Sequence, residues 1–332
     1  MNQVQLALLG VGRWGTHLLR NFLAHRQVQI RAVADPSASR LTAVAQQFQL
    51  GGSVVLTADW SQAIALDGLD AVVIATPAAT HAALVAAALK QNLHVLCEKP
   101  LTESHSSALA LGQLARQRQR QLMVDHTYLF HPAVVQGAKS VAQLGTLRYG
   151  YAARTNLGPV RQDVDVIWDL AIHDIAIFNH WLGITPTQVQ AQGQSWLQKS
   201  LADVAWCRLR YPSGFEARLQ LSWANPFKQR QLYLVGDQGA LIFDEMHPQS
   251  VLTLQQGCFS PQGFQPQALP PSPVAVEAAE PLARLCDRFI QGLISGQPCQ
   301  RSSGVVGARL VQILEALSHS QRRDGRWINL TT

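Results

Sequence analysis

The amino-acid sequence predicts an α/β fold: a doubly wound parallel sheet at the N-terminus, then an α/β domain built on a large, mostly antiparallel open sheet. Three observations predict it. Between Val4 and Asp125 short apolar runs alternate with longer helical periodicity, the pattern of repeated βαβ units. A glycine cluster, Gly10-Val11-Gly12-Arg13-Trp14-Gly15, stands between the first run and the first helix. Beyond Leu129 the texture changes to long alternating stretches broken by turn residues. The chain has 332 residues. Single cores stop growing near ~250–300 residues, so two domains are expected, at 1–125 and 126–332.

In the first domain the expected strands are Val4–Leu9, Val28–Ala34, Ser53–Leu56, Ala71–Ala75, His94–Cys97 and Leu122–Asp125. The expected crossover helices are Trp14–His25, Ser37–Phe48, Asp59–Ala65, Thr80–Lys90 and Ser104–Gln119. In the second domain a helix at Pro132–Gln143 precedes strands at Thr146–Thr155, Gln188–Trp196, Ala202–Tyr211, Phe215–Trp223 and Gln231–Val235, with Pro212–Gly214 and Gly236–Gly239 as turns. Helical patterns at Val166–Leu182, Pro281–Ser295 and Val305–Gln321 complete it, and Pro- and Gln-rich Pro261–Pro273 reads as an exposed loop.

Composition excludes several classes. An apolar fraction of 47% rules out a disordered chain. Lys and Arg number 27 against 21 Asp and Glu, yet the basic residues are scattered and the only dense cluster is Arg116, Arg118 and Arg120. At a helix end that trio complements the dipole, so no nucleic-acid partner is expected. The five cysteines are far apart and include no Cys-x-x-Cys, which encodes neither a disulfide framework nor a zinc site; no metal is expected. The N-terminus lacks a basic signal region, and the richest apolar stretch, Leu84–Leu89, is far shorter than the ~20 residues of a membrane span. A cytoplasmic protein with no membrane partner is expected.

Gly-x-Gly-x-x-Gly is a weak signal alone, but here a strand precedes it, a helix follows it, and Asp35 ends the second strand twenty residues past Gly15. The glycines allow a tight turn and close backbone approach, so a pyrophosphate can rest on free N–H groups at the positive helix end. Asp35 would accept from the ribose hydroxyls and repel a 2′-phosphate, favouring NAD over NADP. Arg40, five residues on, is able either to stack near adenine or to neutralise a phosphate; Asp35 before Pro36 is also able to cap the next helix.

Ala75-Thr76-Pro77-Ala78-Ala79-Thr80-His81 and Cys97-Glu98-Lys99-Pro100-Leu101 resemble the glucose–fructose oxidoreductase / inositol dehydrogenase / MocA family, and the likeness covers nearly the whole chain. Gly-x-Gly-x-Trp-Gly, Trp168-Asp169-Leu170-Ala171-Ile172-His173-Asp174 and the upstream Arg-x-Asn-x-Gly are similar to its sugar-nucleotide branch. The resemblance implies a Rossmann domain, a second domain whose open sheet joins homodimers or homotetramers, and an active site drawing on both. It implies hydride transfer between NAD and a secondary alcohol of a sugar, sugar nucleotide or cyclic polyol. Cofactor contacts are then expected from Gly10, Gly12, Arg13, Trp14, Gly15, Asp35, Arg40, Thr76, Pro77, His81, Glu98 and Lys99.

Lys99 offers a cationic donor for a developing alkoxide, His173 a proton-exchanging imidazole, and Asp169 a partner to substrate or to His173; the three form the expected catalytic set. A spacing of four places Asp169 and His173 on one helix face, though such a pair is often only a local surface pair. Tyr128, Arg154, Asn156 and Arg161 are the further candidate substrate contacts, with Lys99, Asp169 and His173. Which of Lys99 and His173 is the immediate base stays open. The competing class is a dinucleotide-binding sensor without turnover, which has no need of the Lys99 and His173 pair.

Overall fold

The computed structural model describes residues 3–330. The chain divides into two compact units, the first running to Thr127 and taking in Glu280–Val311, the second comprising Tyr128–Ala279 and the residues from Gln312 onward.

The first unit carries β1 (Val4–Leu9), α1 (Arg13–Ala24), β2 (Val28–Ala34), α2 (Ala38–Gln47), β3 (Val55–Thr57), α3 (Trp60–Ile64), β4 (Ala71–Ile74), α4 (Ala78–Lys90), β5 (His94–Glu98), α5 (His105–Gln117) and β6 (Leu122–Asp125). Its six strands run parallel in the order β3-β2-β1-β4-β5-β6, a doubly wound Rossmann sheet whose order reverses between β1 and β4. The central strands β1 and β4 are almost wholly buried, as both faces of a parallel sheet must be when crossover helices cover them. On α1 the buried residues Gly15, Leu18, Leu19 and Phe22 recur at helical spacing and form its core stripe.

In the second unit α6 (Pro132–Ser140) is followed by β7 (Leu147–Leu157), a π-helical turn at Ile167–Ala171 and α7 (Ile172–Leu182). Strands β8 (Gln188–Gln194), β9 (Val204–Arg210), β10 (Glu216–Ser222), β11 (Ala224–Gly236), β12 (Gly239–Asp244), β13 (Leu252–Phe259), β14 (Pro266–Ala268) and β15 (Ser272–Pro273) follow. The chain then returns to the first unit for α8 (Pro281–Ser295) and the start of α9 (Gly304–Gln321), whose end, with β16 (Ile328–Asn329), belongs to the second. The ten-stranded sheet is antiparallel except where β7 pairs β10 in parallel. One face of β7 turns Ala152 and Arg154 inward and packs Gly150 so tightly that a Cβ there would lie 2.6 Å from the Phe178 ring of α7. The other face presents Tyr149 and Tyr151.

Three expectations are corrected. β11 is thirteen residues long rather than the five of Gln231–Val235, and β12 and β13 extend the sheet beyond it. Pro261–Pro273 is exposed as expected, but it carries β14 and β15, because the backbone of β13 offers ladder partners that composition does not reveal. Residues 280–311, which the sequence assigns to the second domain, pack with the first. There α8 buries Leu282, Leu285 and Phe289, Phe22 meets Phe289 edge to face, and the Gln121 side chain accepts from the Cys299 N–H while donating to the Phe289 carbonyl.

Candidate active site

In the first unit β1 ends in a turn at Gly10, whose φ of +89° lies in the left-handed region and whose added Cβ would meet the Ala75 carbonyl oxygen at 2.6 Å. A Cβ on Gly15 would fall 1.9 Å from the Gly10 carbonyl oxygen, so α1 packs against the turn only because that position is glycine. Gly12 caps α1 without a side-chain hydrogen bond, a Cβ there would meet nothing within 4 Å, and the first helical turn holds no acidic residue. The result is an open, positively polarised cradle of backbone N–H groups.

Asp35 ends β2 only 3% exposed. Its Oδ2 accepts the Val11 N–H at 2.9 Å, its Oδ1 accepts the Ser37 N–H at 2.9 Å, and Ser37 rather than Asp35 caps α2. The carboxylate thus pins the glycine turn. Arg40 is exposed, 3.8 Å from Asp35; Arg13 is exposed, and Trp14 is 49% exposed with its ring edge-on to His17. The donor set fits a dinucleotide: N–H groups for a pyrophosphate, and a strand-end carboxylate for ribose.

At the β4 end Thr76 and Thr80 share a hydroxyl–hydroxyl bond of 2.7 Å and Thr80 donates to the Pro77 carbonyl. His81 is buried between two loops, Nδ1 at 2.8 Å from the Pro100 carbonyl and Nε2 at 2.9 Å from the Thr76 carbonyl. Burial pushes its imidazole below the usual range. Its position ties the Thr76-Pro77 loop to the segment that carries Lys99. Glu98 is buried, its Oε2 accepting the Lys99 N–H at 3.1 Å; Lys99 is half-buried.

In the second unit the helix bearing Asp169 and His173 is not a regular α-helix: Asp169 sits in the π turn and His173 in α7. The four-residue spacing therefore crosses a widened turn, a device found often at functional sites. Asp169 Oδ2 accepts the indole N–H of the buried Trp223 at 3.1 Å, and its Oδ1 lies 3.6 Å from Arg161, whose guanidinium also holds Asp163. His173 is half-buried with its ring 5.0 Å from that of Tyr128. The Tyr128 hydroxyl donates to Glu245 at 2.7 Å, and burial, the leading influence, pushes its phenol upward.

Arg154 reaches none of these acceptors as an open cation: only 2% exposed, it binds Asp174 through Nε and Nη2 and stacks 4.4 Å over Tyr128. Asn156 accepts from Arg230 at 2.6 Å. Arg230 and Trp223 have no sequence motif behind them; Arg230 stands beside Arg154 only because β11 pairs β7 in that register. Among the described residues no cluster of His, Cys, Asp and Glu has the makings of a metal site, and no helix is long and apolar enough to cross a membrane.

A glycine cradle with a strand-end carboxylate on a doubly wound sheet defines a dinucleotide-binding protein. Residues 4–126 match the oxidoreductase family with an NAD-binding Rossmann fold, and residues 145–242 match the GFO/IDH/MocA C-terminal domain. UDP-N-acetylglucosamine 3-dehydrogenase of Acidithiobacillus ferrooxidans is 31% identical over 223 residues, covering 67% of this chain and 68% of that one. A solved structure of that enzyme superposes with a TM-score of 0.85 at 25% identity, covering 98% of this chain and 99% of the other. The NAD-linked scyllo-inositol 2-dehydrogenase of Bacillus subtilis is 24% identical over 76% of this chain and 77% of its own. The chain belongs to the GFO/IDH/MocA family and is an NAD-dependent oxidoreductase.

Proposed function

We propose that the protein oxidises, or in reverse forms, a secondary alcohol of a sugar nucleotide, with free sugars and cyclic polyols as the neighbouring substrate class. The observation that carries this reading is the set of polar groups around Asp169: a carboxylate steadied by Trp223, a guanidinium from Arg161 beside it, and the His173 and Tyr128 rings in the same unit. Such a set binds hydroxyls, with the half-buried Arg161 guanidinium already held by Asp163 and Asp169 at its edge. The relative that acts on UDP-N-acetylglucosamine supports the same substrate class.

NAD, when bound, supplies the hydride acceptor. The chain's own work is to orient the carbinol and handle its proton. The Lys99 amine stabilises negative charge developing on the carbinol oxygen, His173 exchanges the hydroxyl proton near neutrality, and Asp169 holds a substrate hydroxyl in place. Gly10, Gly12, Gly15 and Asp35 hold the dinucleotide, with Thr76 and Pro77 lining its approach. His81 and Glu98 act on the same loop through the backbone they anchor.

We propose further that the protein assembles as a homodimer or homotetramer through the outward face of β7, β9 and β11. Tyr149, Tyr151 and Trp206 are 50%, 41% and 46% exposed there, and Tyr151 stacks on Tyr233 at 4.3 Å. An aromatic face of this kind is typical of buried interfaces. A cytoplasmic location accords with five free cysteines, four of them buried. Incubation with NAD and a panel of UDP-sugars, free sugars and inositols, read as NADH absorbance, tests the reading. Turnover of UDP-sugars above the others is expected; NAD binding without turnover of any panel member would favour a sensor.

A further inference from the structure

The ends of β5 and β6 bury two carboxyl groups side by side. Glu98 and Asp125 are register partners on adjacent parallel strands and are 9% and 2% exposed. Two carboxylates so placed, in a low dielectric, repel too strongly for both to ionise near neutrality. Their hydrogen bonding is incomplete in a telling way. The Thr127 hydroxyl donates to Asp125 Oδ1 and the Lys99 N–H donates to Glu98 Oε2, but Asp125 Oδ2 is buried without a partner. A buried acceptor facing a neighbouring acid lacks one thing, a donated proton.

We propose that Glu98 and Asp125 share a single proton, carried on Glu98 and offered to Asp125, so that Lys99 faces one negative charge rather than two. They are positioning residues for Lys99. Burial, reinforced by the Asp125 charge, pushes the Glu98 carboxyl well above the ordinary range, while the Lys99 cation opposes the shift. Burial raises Asp125 as well, opposed first by the Thr127 hydrogen bond and then by the neighbouring Glu98 carboxyl and the Lys99 cation.

The other titratable groups around the pair do not compete for this proton. Cys97 on β5 and Cys286 on α8 are thiols that burial, with nearby acids, pushes far up. His126, next to Asp125, has both ring nitrogens buried without a partner and is pushed down to about 3 by burial and by Lys99, so it stays neutral. Loss of the shared proton at higher pH would double the negative charge beside Lys99. The catalytic consequence rests on the Lys99 assignment above; the shared proton does not.

Infrared difference spectra of the full chain, taken in steps from about pH 6 to about pH 9, read the proton directly through the protonated-carboxyl C=O band. The wild-type protein is expected to keep that band at neutral pH and lose it above. Glu98→Gln should lack it. Asp125→Asn should lose it at lower pH than wild type, because the neighbouring charge is gone, and Lys99→Met should keep it to higher pH. The kcat/KM profile should bend where the band titrates, and that bend should vanish in Glu98→Gln. A wild-type protein without the band at neutral pH, or Glu98→Gln with the band unchanged, overturns the shared proton. A titrating band with no matching bend overturns the positioning role. Turnover retained in Lys99→Met with the band intact would instead overturn the Lys99 assignment, so the two failures are distinct.

Discussion

Arg154 and Asp174 form a fork-to-fork ion pair inside the second unit, with nitrogen–oxygen distances of 2.7, 3.0 and 3.1 Å and both side chains 2% exposed. Burial works against the Arg154 charge, but the Asp174 carboxylate and Tyr128 more than reverse it and hold the guanidinium firmly charged. Removing one partner strands the other as an uncompensated buried charge. Arg154→Met is therefore expected to lower unfolding free energy by about 3–5 kcal/mol, measured as a shift in urea midpoint by tryptophan fluorescence. A loss below about 1 kcal/mol would mean the pair behaves as an exposed one.

Asp35 is expected to select the dinucleotide. NAD is expected to bind at least about tenfold more tightly than NADP, because a 2′-phosphate would meet a buried carboxylate already accepting two backbone N–H groups. Cofactor titration by fluorescence checks it. Equal affinities would show that Arg40, exposed and 3.8 Å away, outweighs Asp35.

Lys99→Met is expected to leave NAD binding nearly intact and lower kcat by about 10²–10³, the usual effect of deleting a donor aimed at developing oxyanion charge. His173→Ala should also slow turnover and change the shape of the pH–rate profile, as the loss of a proton-exchanging imidazole must. Wild-type turnover in both variants would place the chemistry elsewhere.

Acid should destabilise the fold through its neutral histidines, the half-buried His94 and the buried His126. His94 is pushed down to about 4 and His126 to about 3 from an ordinary 6.5, chiefly by burial. Above pH 6.5 both states are neutral; below it the unfolded chain takes up protons that the folded one refuses, so stability falls until the folded value is reached. For the fully buried His126 this costs up to about 1.4 kcal/mol per pH unit in that window, and for the part-exposed His94 less. The wild-type urea midpoint should thus fall relative to that of His126→Gln as pH drops from 6.5 toward about 3. Parallel curves would show that His126 titrates normally.

Tyr151→Arg is expected to convert the assembly to monomers, because it sets a charge in the centre of the Tyr149, Tyr151 and Tyr233 stack. Light scattering decides it. A wild-type monomer at micromolar concentration would remove the proposed interface.

The first sheet was legible in the residues almost to the position, since β1, β2 and β6 coincide with the expected Val4–Leu9, Val28–Ala34 and Leu122–Asp125. A parallel strand is a local apolar run between local punctuation, and the glycine turn with Asp35 is a local motif, so both are written in contiguous residues. The remaining features depend on partners far apart in the chain. Arg154 was legible as a cation near the site, but its burial against Asp174 follows from β7 lying on α7. Arg230, set beside it by the β7 and β11 register, has no local signature. The return of α8 to the first unit rests on Phe22 and Phe289, and the Glu98–Asp125 pair on two strands that meet edge to edge. Proton sharing and ion pairing are properties of distance and dielectric, which the chain acquires only when those elements close on one another.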